Sequence, residues 1–455
     1  MLIRFVVENF LSFRDELEFN MLAGNFRNHK HHIYEDKLKL LRSAAIYGSN
    51  GAGKSNFVKA VEFFQNLVET GSVDQSINKN KFKLDVDKQS KPVYFEIELI
   101  VDSKAYRYGI ELDKSIVLSE WLVKSGVNKK DIVIFEREFD DDGKPKISFH
   151  NKYQKTSKQK LLIELLKENL LKKNELLLAK NETLGIDIIS KFKEKILNDI
   201  IIIHPESRFN SLVAHFSLSD TFKNFSNSLL KTFDTGIEEL SIENFTLNSY
   251  FGEDDEEKVK EIHNSLEDEG DGLIMHHNGD DIYCIKEQKG VFVKKLMTSH
   301  IDDQGSMTNF DIQNESDGTK RLLDFLPAIK GVLNNEFTFI IDEIDNSLHP
   351  TLLKSLISKI MKEENTSGQL IFTTHESNLL DLDIFRQDEI WFVEKDKRGS
   401  SIMYSLSDYK PRYDLNIQKG YLKGRFGAIP FLADLEKLKW KNYDSQETRL
   451  QQADT

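Results

Sequence analysis

Apolar and polar positions alternate with period two through much of residues 1–150, which predicts half-buried strands. Leu2 to Glu8 is the first, Asn9 to Phe13 a turn, and Leu17 to Met21 the second. Val93, Phe95, Ile97 and Leu99 mark one face of a strand to Val101, and Tyr106 to Leu112 follows a turn at Asp102-Ser103-Lys104. Ile116–Val123 and Ile132–Phe139 extend this antiparallel sheet, with a turn at Asp140-Asp141-Asp142-Gly143. That acidic triplet lacks the spacing and distal Glu of a calcium loop. Asn28 to Leu40 is a polar connection carrying His29, His31 and His32. With no Cys or carboxylate at a zinc-site spacing, it is taken as a solvated loop. Gly71 to Ser90 is polar and lysine-rich.

From Ser157 the period becomes helical. Leu161, Leu162, Leu165 and Leu166 lead a helix to Leu178, Asn181–Gly185 interrupts it, and a second helix runs to Leu197, as a helical hairpin or lid. The apolar run Ile200–Ile203 ends at His204-Pro205. Asp220–Leu230 and Asp254–Leu266 are amphipathic, and Glu253–Glu269 is acidic enough for a solvated face or mobile loop. Leu273–His277 and Ile282–Lys286 form a hairpin around Asn278-Gly279, with Cys284 as a small buried residue. Phe337–Ile341, Leu370–Thr373 and Ile390–Val393 are buried strands, interleaved with helices from about Arg321 and Thr351. Arg412–Pro430 is a basic, aromatic tail.

Composition narrows the class. The chain has 455 residues, 39% apolar and 30% charged, enough for a sizeable core and several domain-sized units. Cys284 is the only cysteine, so no disulfide forms within the chain, which suits a reducing cytoplasm. No run approaches the ~18 apolar residues of a membrane span, and the N-terminus has the pattern of a strand, not a leader. The net charge of −13 argues against a surface built for nucleic acid as a whole, although a local basic groove remains compatible.

The chemistry begins at Gly48-Ser49-Asn50-Gly51-Ala52-Gly53-Lys54-Ser55, which fits G-x-x-x-x-G-K-[ST] at every fixed position. Apolar Ala44–Tyr47 precede it, and a helical pattern through Leu67 follows. Glycines let the backbone wrap an anion, and freed N–H groups at a helix start point at phosphate. Lys54 would neutralise the β- and γ-phosphates, and Ser55 would ligate Mg²⁺. An apolar strand ending in Asp342-Glu343 supplies a carboxylate for the Mg²⁺ shell and one to orient or deprotonate water. Ser316-Asp317-Gly318-Thr319 before a helix is a second candidate anion site. His375, closing the Leu370–Thr373 strand, is a candidate γ-phosphate sensor.

The order P-loop, Ser316–Thr319 signature, Asp342-Glu343, the Asp345 loop and His375 resembles that of ABC-type ATPases in the RecF/SMC-related branch. It is similar to the AAA/ABC-hybrid ATPases of bacterial anti-phage systems, the OLD-, RloA- and AbiL-type proteins. The likeness covers about residues 1–67 and 310–430, and rests also on Glu8–Phe13 and Gly424–Pro430. It implies an α/β fold: an ABC-type head with a mixed sheet and an antiparallel subdomain, carrying a mostly helical insertion. The expected parts are an N-terminal lobe (1–150), the insertion (151–300), a C-terminal lobe (301–430) and a tail (431–455). It implies ATP and Mg²⁺ as ligands, held by Asn50 to Asn56, with Asp342 and Ser55 on the metal and Lys54, Glu343 and His375 catalytic. Ser316, Gly318 and Asp345 would meet the nucleotide across a homodimer or higher oligomer. The signature is Ser-Asp-Gly-Thr in place of Ser-Gly-Gly-Gln, and Gln89 is the nearest candidate for a Q-loop glutamine. At Val393-Glu394-Lys395-Asp396, Lys395 replaces the glycine with which a Toprim nuclease would begin, so the effector is expected on a separate protein. The reading is a cytoplasmic ATPase switch, without a membrane partner, that controls a nuclease or toxin in abortive infection. The alternatives are a DNA-repair or DNA-tethering ATPase, using lysines of 79–91 and 152–173, and a nucleotide-sensing scaffold.

Overall fold

The N-terminal alternation folds as expected. β1 (Leu2–Glu8) pairs antiparallel with β2 (Leu17–Asn20). β3 (Ile33–Glu35) and β4 (Lys39–Leu41) form a small ladder, and β5 (Ser43–Gly48) leads into α1 (Lys54–Thr70). After the short helices α2 (Ser76–Lys79) and α3 (Val86–Gln89) the chain meanders through five strands. These are β6 (Val93–Val101), β7 (Lys104–Asp113), β8 (Ile116–Lys124), β9 (Ile132–Phe139) and β10 (Pro145–Phe149). They complete a seven-stranded antiparallel sheet in the order β10-β9-β8-β7-β6-β1-β2. Phe5, Phe95 and Tyr108 on its inner face meet Phe64 of α1, and Phe5 also meets Phe57. The computed structural model describes residues 1–429 except 127–129, 140–144, 234, 253–254, 271 and 413–414. The Asp140–Gly143 turn and the chain from Pro430 therefore lie outside the described residues.

The predicted helix to Leu178 is shorter. α4 (Ser157–Leu165) starts with a Thr156/Gln159 capping box, passes through a single π turn at Leu166–Leu170, and then leaves helical geometry. The reason is a buried carboxylate: Glu120 accepts the backbone N–H groups of Leu177 (2.7 Å) and Leu178 (2.8 Å). Arg137 holds the carbonyls of Lys172 and Glu175. α5 (Asn181–Leu184) stops at left-handed Gly185, and α6 (Asp187–Asn198) buries Ile189, Phe192 and Ile196 at helical spacing.

β11 (Ile200–Ile203) is followed by α7 (Leu212–Leu218) and α8 (Asp220–Thr232). Next come β12 (Glu239–Thr246), α9 (Leu247–Phe251) and α10 (Glu256–Glu269), whose buried Ile262 and Leu266 leave its acidic residues on a solvated face. β13 (Gly272–His277), β14 (Asp280–Glu287), β15 (Gly290–Ile301) and β16 (Met307–Asp311) build an antiparallel sheet with β12, and Cys284 is in its small core. Among the described residues of 151–300, helical ones outnumber those in strands.

The remaining elements are α11 (Asp317–Asn334), β17 (Thr338–Ile341), α12 (Pro350–Met361), β18 (Gln369–Thr374), β19 (Ile390–Lys395), β20 (Ser401–Ser405) and α13 (Ile417–Leu422). They complete a six-stranded sheet in the order β11-β17-β18-β5-β19-β20, parallel except for β20. Its inner strands are continuously apolar because both faces are covered. Ala44, Ile46, Ile340 and Ile371 face the core shared with α1, while Ala45, Tyr47, Phe339, Ile341 and Phe372 face the core shared with α11 and α12. The fold is thus α/β, a mixed sheet beside antiparallel ones.

The aromatic tail packs on the central sheet: Tyr421 and Phe426 stack on Phe392 with centroids 5.6 and 5.9 Å away. One further expectation is corrected. The Asn28–Leu40 connection is not a solvated loop, because His32 is buried and all three of its histidines hydrogen-bond to the C-terminal half of the chain. Among the described residues no helix is long and apolar enough to cross a membrane.

Candidate functional site

Four loops leave the C-terminal ends of parallel neighbours β11, β17, β18 and β5, the edge where such sheets bind ligands. The loop after β5 is Ser49–Gly53. Gly51 and Gly53 have φ of +74° and +118°, which side chains strain to adopt. A methyl on Gly53 would also stand 2.2 Å from Ser401 Oγ. Ser401 braces the loop from β20, its hydroxyl donating to Ala52 O (2.6 Å) and lying 2.8 Å from Ser12 Oγ. Asn56 Nδ2 donates to the same Ser12 Oγ (2.8 Å). Among the described residues no side chain caps α1, so the N–H groups of its first turn stay available.

Lys54 is buried. Its Nζ donates to Gly48 O (2.8 Å) and lies 2.9 Å from His375 Nε2, at the end of β18. Burial lowers its pKa to about 8, against the pull of Glu343, Asp342 and Asp345. Burial, and then the Lys54 cation, hold the His375 imidazole below its ordinary value, so it is neutral near pH 7. Asp342 is buried, and its Oδ1 accepts the Thr373 hydroxyl (2.5 Å). The same hydroxyl accepts Glu343 N–H (2.8 Å), fixing Glu343 at a φ of +49°. Backbone strain of this kind costs on the order of 1–3 kcal/mol and gathers at functional sites. Asp345 accepts His375 N–H at 3.3 Å on each oxygen.

Ser316 and Gly318 lie at the start of α11. Ser316 caps α11 through Thr319 N–H (3.1 Å), so the helix starts at Asp317 and not near Arg321. Gly318 fits against the Asp345 loop: a methyl there would lie 2.7 Å from Ser347 O. Among the described residues, neither Ser316 nor Gly318 hydrogen-bonds to the P-loop. Glu315, just before them, accepts from Thr298 Oγ1 (2.6 Å) and meets His300 Nε2 (2.7 Å), both on β15.

Sequence reasoning did not assign His204. It follows β11, whose last residue accepts Asp342 N–H through Ile203 O (2.8 Å). Its Nε2 meets Glu62 Oε1 (2.9 Å) on α1, seven residues beyond Ser55 and on the same helix face. The loop runs on to α11, where Asp324 accepts Arg208 Nη1 (2.9 Å) and Phe209 N–H (3.0 Å). Its signal was the apolar Ile200–Ile203 run ending on His204-Pro205. Gln89 is not a counterpart: it is exposed, and its amide donates to Phe82 O within its own loop. Two lysines of the 79–91 segment are in ion pairs, Lys81 with Asp113 (2.6 Å) and Lys88 with Glu8 (2.6 Å).

These residues fit a magnesium–nucleoside triphosphate. The open N–H groups and Lys54 suit the phosphates, while Ser55 and buried Asp342 supply the hard oxygen donors Mg²⁺ prefers.

A family model described as "AAA domain, putative AbiEii toxin, Type IV TA system" matches residues 43–381. No relative is found among curated proteins. Among solved structures, the chain is similar to an SMC head bound to the C-winged helix domain of ScpA: 14% identity, 90% of this chain and 99% of that one, TM-score 0.44. It is also similar to an SMC head domain from Thermotoga maritima (12% identity, 89% and 98% coverage, TM-score 0.37). A third is an SMC head from Pyrococcus furiosus bound to the C-terminal domain of ScpA (16% identity, 90% and 97% coverage, TM-score 0.38).

Proposed function

The chain belongs to this AAA-domain family, a family of nucleotide-binding ATPases, and on that premise we propose that it is a Mg²⁺-dependent ATP hydrolase of ABC/SMC type. The observation that carries this reading is Lys54 Nζ, 2.9 Å from His375 and drawn on by the charges of Asp342, Glu343 and Asp345. Bound at Ser55 and Asp342, Mg²⁺ would offset phosphate charge. Lys54 and the N–H groups of Asn50 to Asn56 hold the phosphates. Glu343 takes the proton of the attacking water, and the neutral His375 ring meets the γ-phosphate.

That neither Ser316 nor Gly318 hydrogen-bonds to the P-loop of its own chain, among the described residues, supports a second part. Two heads close on ATP, each presenting its α11 start to the other's phosphates, with Asp345 on the seam. Hydrolysis then releases the pair. The family's description names a putative toxin of a toxin–antitoxin system; on our reading the switch acts in the cytoplasm on a separate nuclease or toxin in anti-phage defence.

Glu343→Gln tests both parts. It should abolish turnover and leave an ATP-dependent dimer stable in light scattering, while Lys54→Ala prevents nucleotide binding. Turnover by Glu343→Gln at the wild-type rate removes Glu343 as the base. Turnover unaltered by neighbouring gene products counts against an effector switch.

A further inference from the structure

The opposite ends of β5 and β19, where these strands begin, hold a second chemical cluster. One ring nitrogen from each of His29, His31 and His32 lies within 4.8 Å of the others. The His29 ring stacks on His32 (centroids 4.9 Å, 18°) and the His31 ring meets it edge-on (4.5 Å, 84°). His31 Nε2 and His32 Nε2 approach one oxygen, Met361 O at the end of α12, at 2.9 and 2.8 Å. His29 Nε2 lies 2.8 Å from Leu382 O. Buried His32 also places Nδ1 2.9 and 3.0 Å from the two oxygens of Glu389. Glu389 in turn accepts Ser43 Oγ (2.7 Å) and Arg386 N–H (2.7 Å).

A neutral imidazole has one N–H and one lone pair. The His32 ring faces acceptors on both sides, a carboxylate at Nδ1 and a carbonyl at Nε2. A neutral ring leaves its lone pair against one of them, which is costly in a buried site. A positive centre between ring and carbonyl removes the conflict. A carboxylate on Nδ1–H is also the arrangement that fixes the tautomer of metal-binding histidines and aims Nε2 at the ion. Adjacent donors on a metal with bonds of about 2.0–2.1 Å stand about 3 Å apart, close to the separations of the two Nε2 atoms from Met361 O. The segment is held in advance: Arg386 donates to Asn28 O (2.9 Å) and Gly24 O (3.0 Å).

We propose that His29, His31 and His32, with the Met361 carbonyl, bind a divalent transition-metal ion of the zinc class, and that Glu389 orients His32 from behind. Three imidazoles favour such an ion over Mg²⁺. The ion fastens the N-terminal connection to the end of α12 and is separate from the nucleotide's Mg²⁺.

The test uses the full chain, stripped with chelator and free of nucleotide, titrated with Co²⁺. One equivalent should bind with a visible d–d spectrum, raise the melting temperature, and be displaced by Zn²⁺. His31→Gln keeps an amide donor for Met361 O but removes a ligand, so affinity should fall at least tenfold; Glu389→Gln should lower it about ten- to hundredfold. Lys54→Ala should bind Co²⁺ as wild type does. If His31→Gln does not fold, His29→Gln serves in its place. Failure to retain Co²⁺ or Zn²⁺, or equal affinity in the glutamine variants, overturns the proposal. So does a cluster whose stability responds to pH but not to metal, since a proton then does the ion's work.

Discussion

Replacing Gly318 with alanine adds one methyl in the first turn of α11, 2.7 Å from the Ser347 carbonyl oxygen. Carbon–oxygen contacts of this kind settle at about 3.3–3.6 Å, so one backbone must retreat by more than half an ångström. Overpacking of this size costs about 1–3 kcal/mol. Gly318 is helical, however, and alanine gains at most the ~1 kcal/mol it has over glycine in a helix interior, less in a first turn. The net cost is about 0–2 kcal/mol, so the variant should fold with a melting temperature lowered by a few degrees at most. What moves is the Asp345–Ser347 loop, whose Asp345 carboxylate holds His375 N–H. Binding of a fluorescent ATP analogue to the single head should stay within about twofold, because the P-loop is untouched. Dimerisation in a Glu343→Gln background and turnover in the otherwise wild-type chain should fall tenfold or more, the effect of about 1.4 kcal/mol lost at the seam. Dimerisation and turnover within twofold of the unsubstituted chain would refute the assigned contact between α11 and this loop.

Lys54→Met should stabilise the nucleotide-free chain at pH 7, with the gain shrinking toward pH 10. Folded Lys54 releases its proton near about 8, against 10.5 for the free side chain. Between these values the unfolded state binds more protons, so wild-type stability climbs with pH; parallel melting curves across the range check the sign. Glu120→Ala should cost about 3–5 kcal/mol, because Arg137 is left as a buried charge and the N–H groups of Leu177 and Leu178 lose their acceptor. Limited proteolysis should then cut within 171–178 under conditions that spare the wild type.

Both large sheets were legible because burial on one or both faces writes itself as alternation or as continuous apolar runs. Lys54, Asp342, Glu343 and His375 were legible because each closes a strand or opens a helix. Gln89 misled because it precedes β6, which pairs with β1 and not with the central sheet. The leucines before Leu178 carry a helical period, but Glu120, 57 and 58 residues away, captures their backbone. His204 and Ser401 become functional candidates only through neighbours that sequence distance hides. The histidine cluster is the extreme case: its partners lie 329 to 357 residues downstream.

Glu315 has a mechanical consequence. Its carboxylate is gripped by Thr298 and His300, and the next residue caps α11. Traction on the β15 sheet therefore reaches Ser316 along one side chain and one peptide link, with almost no slack. A body seated on that sheet would act in series with the cap, as a hand on a short tiller.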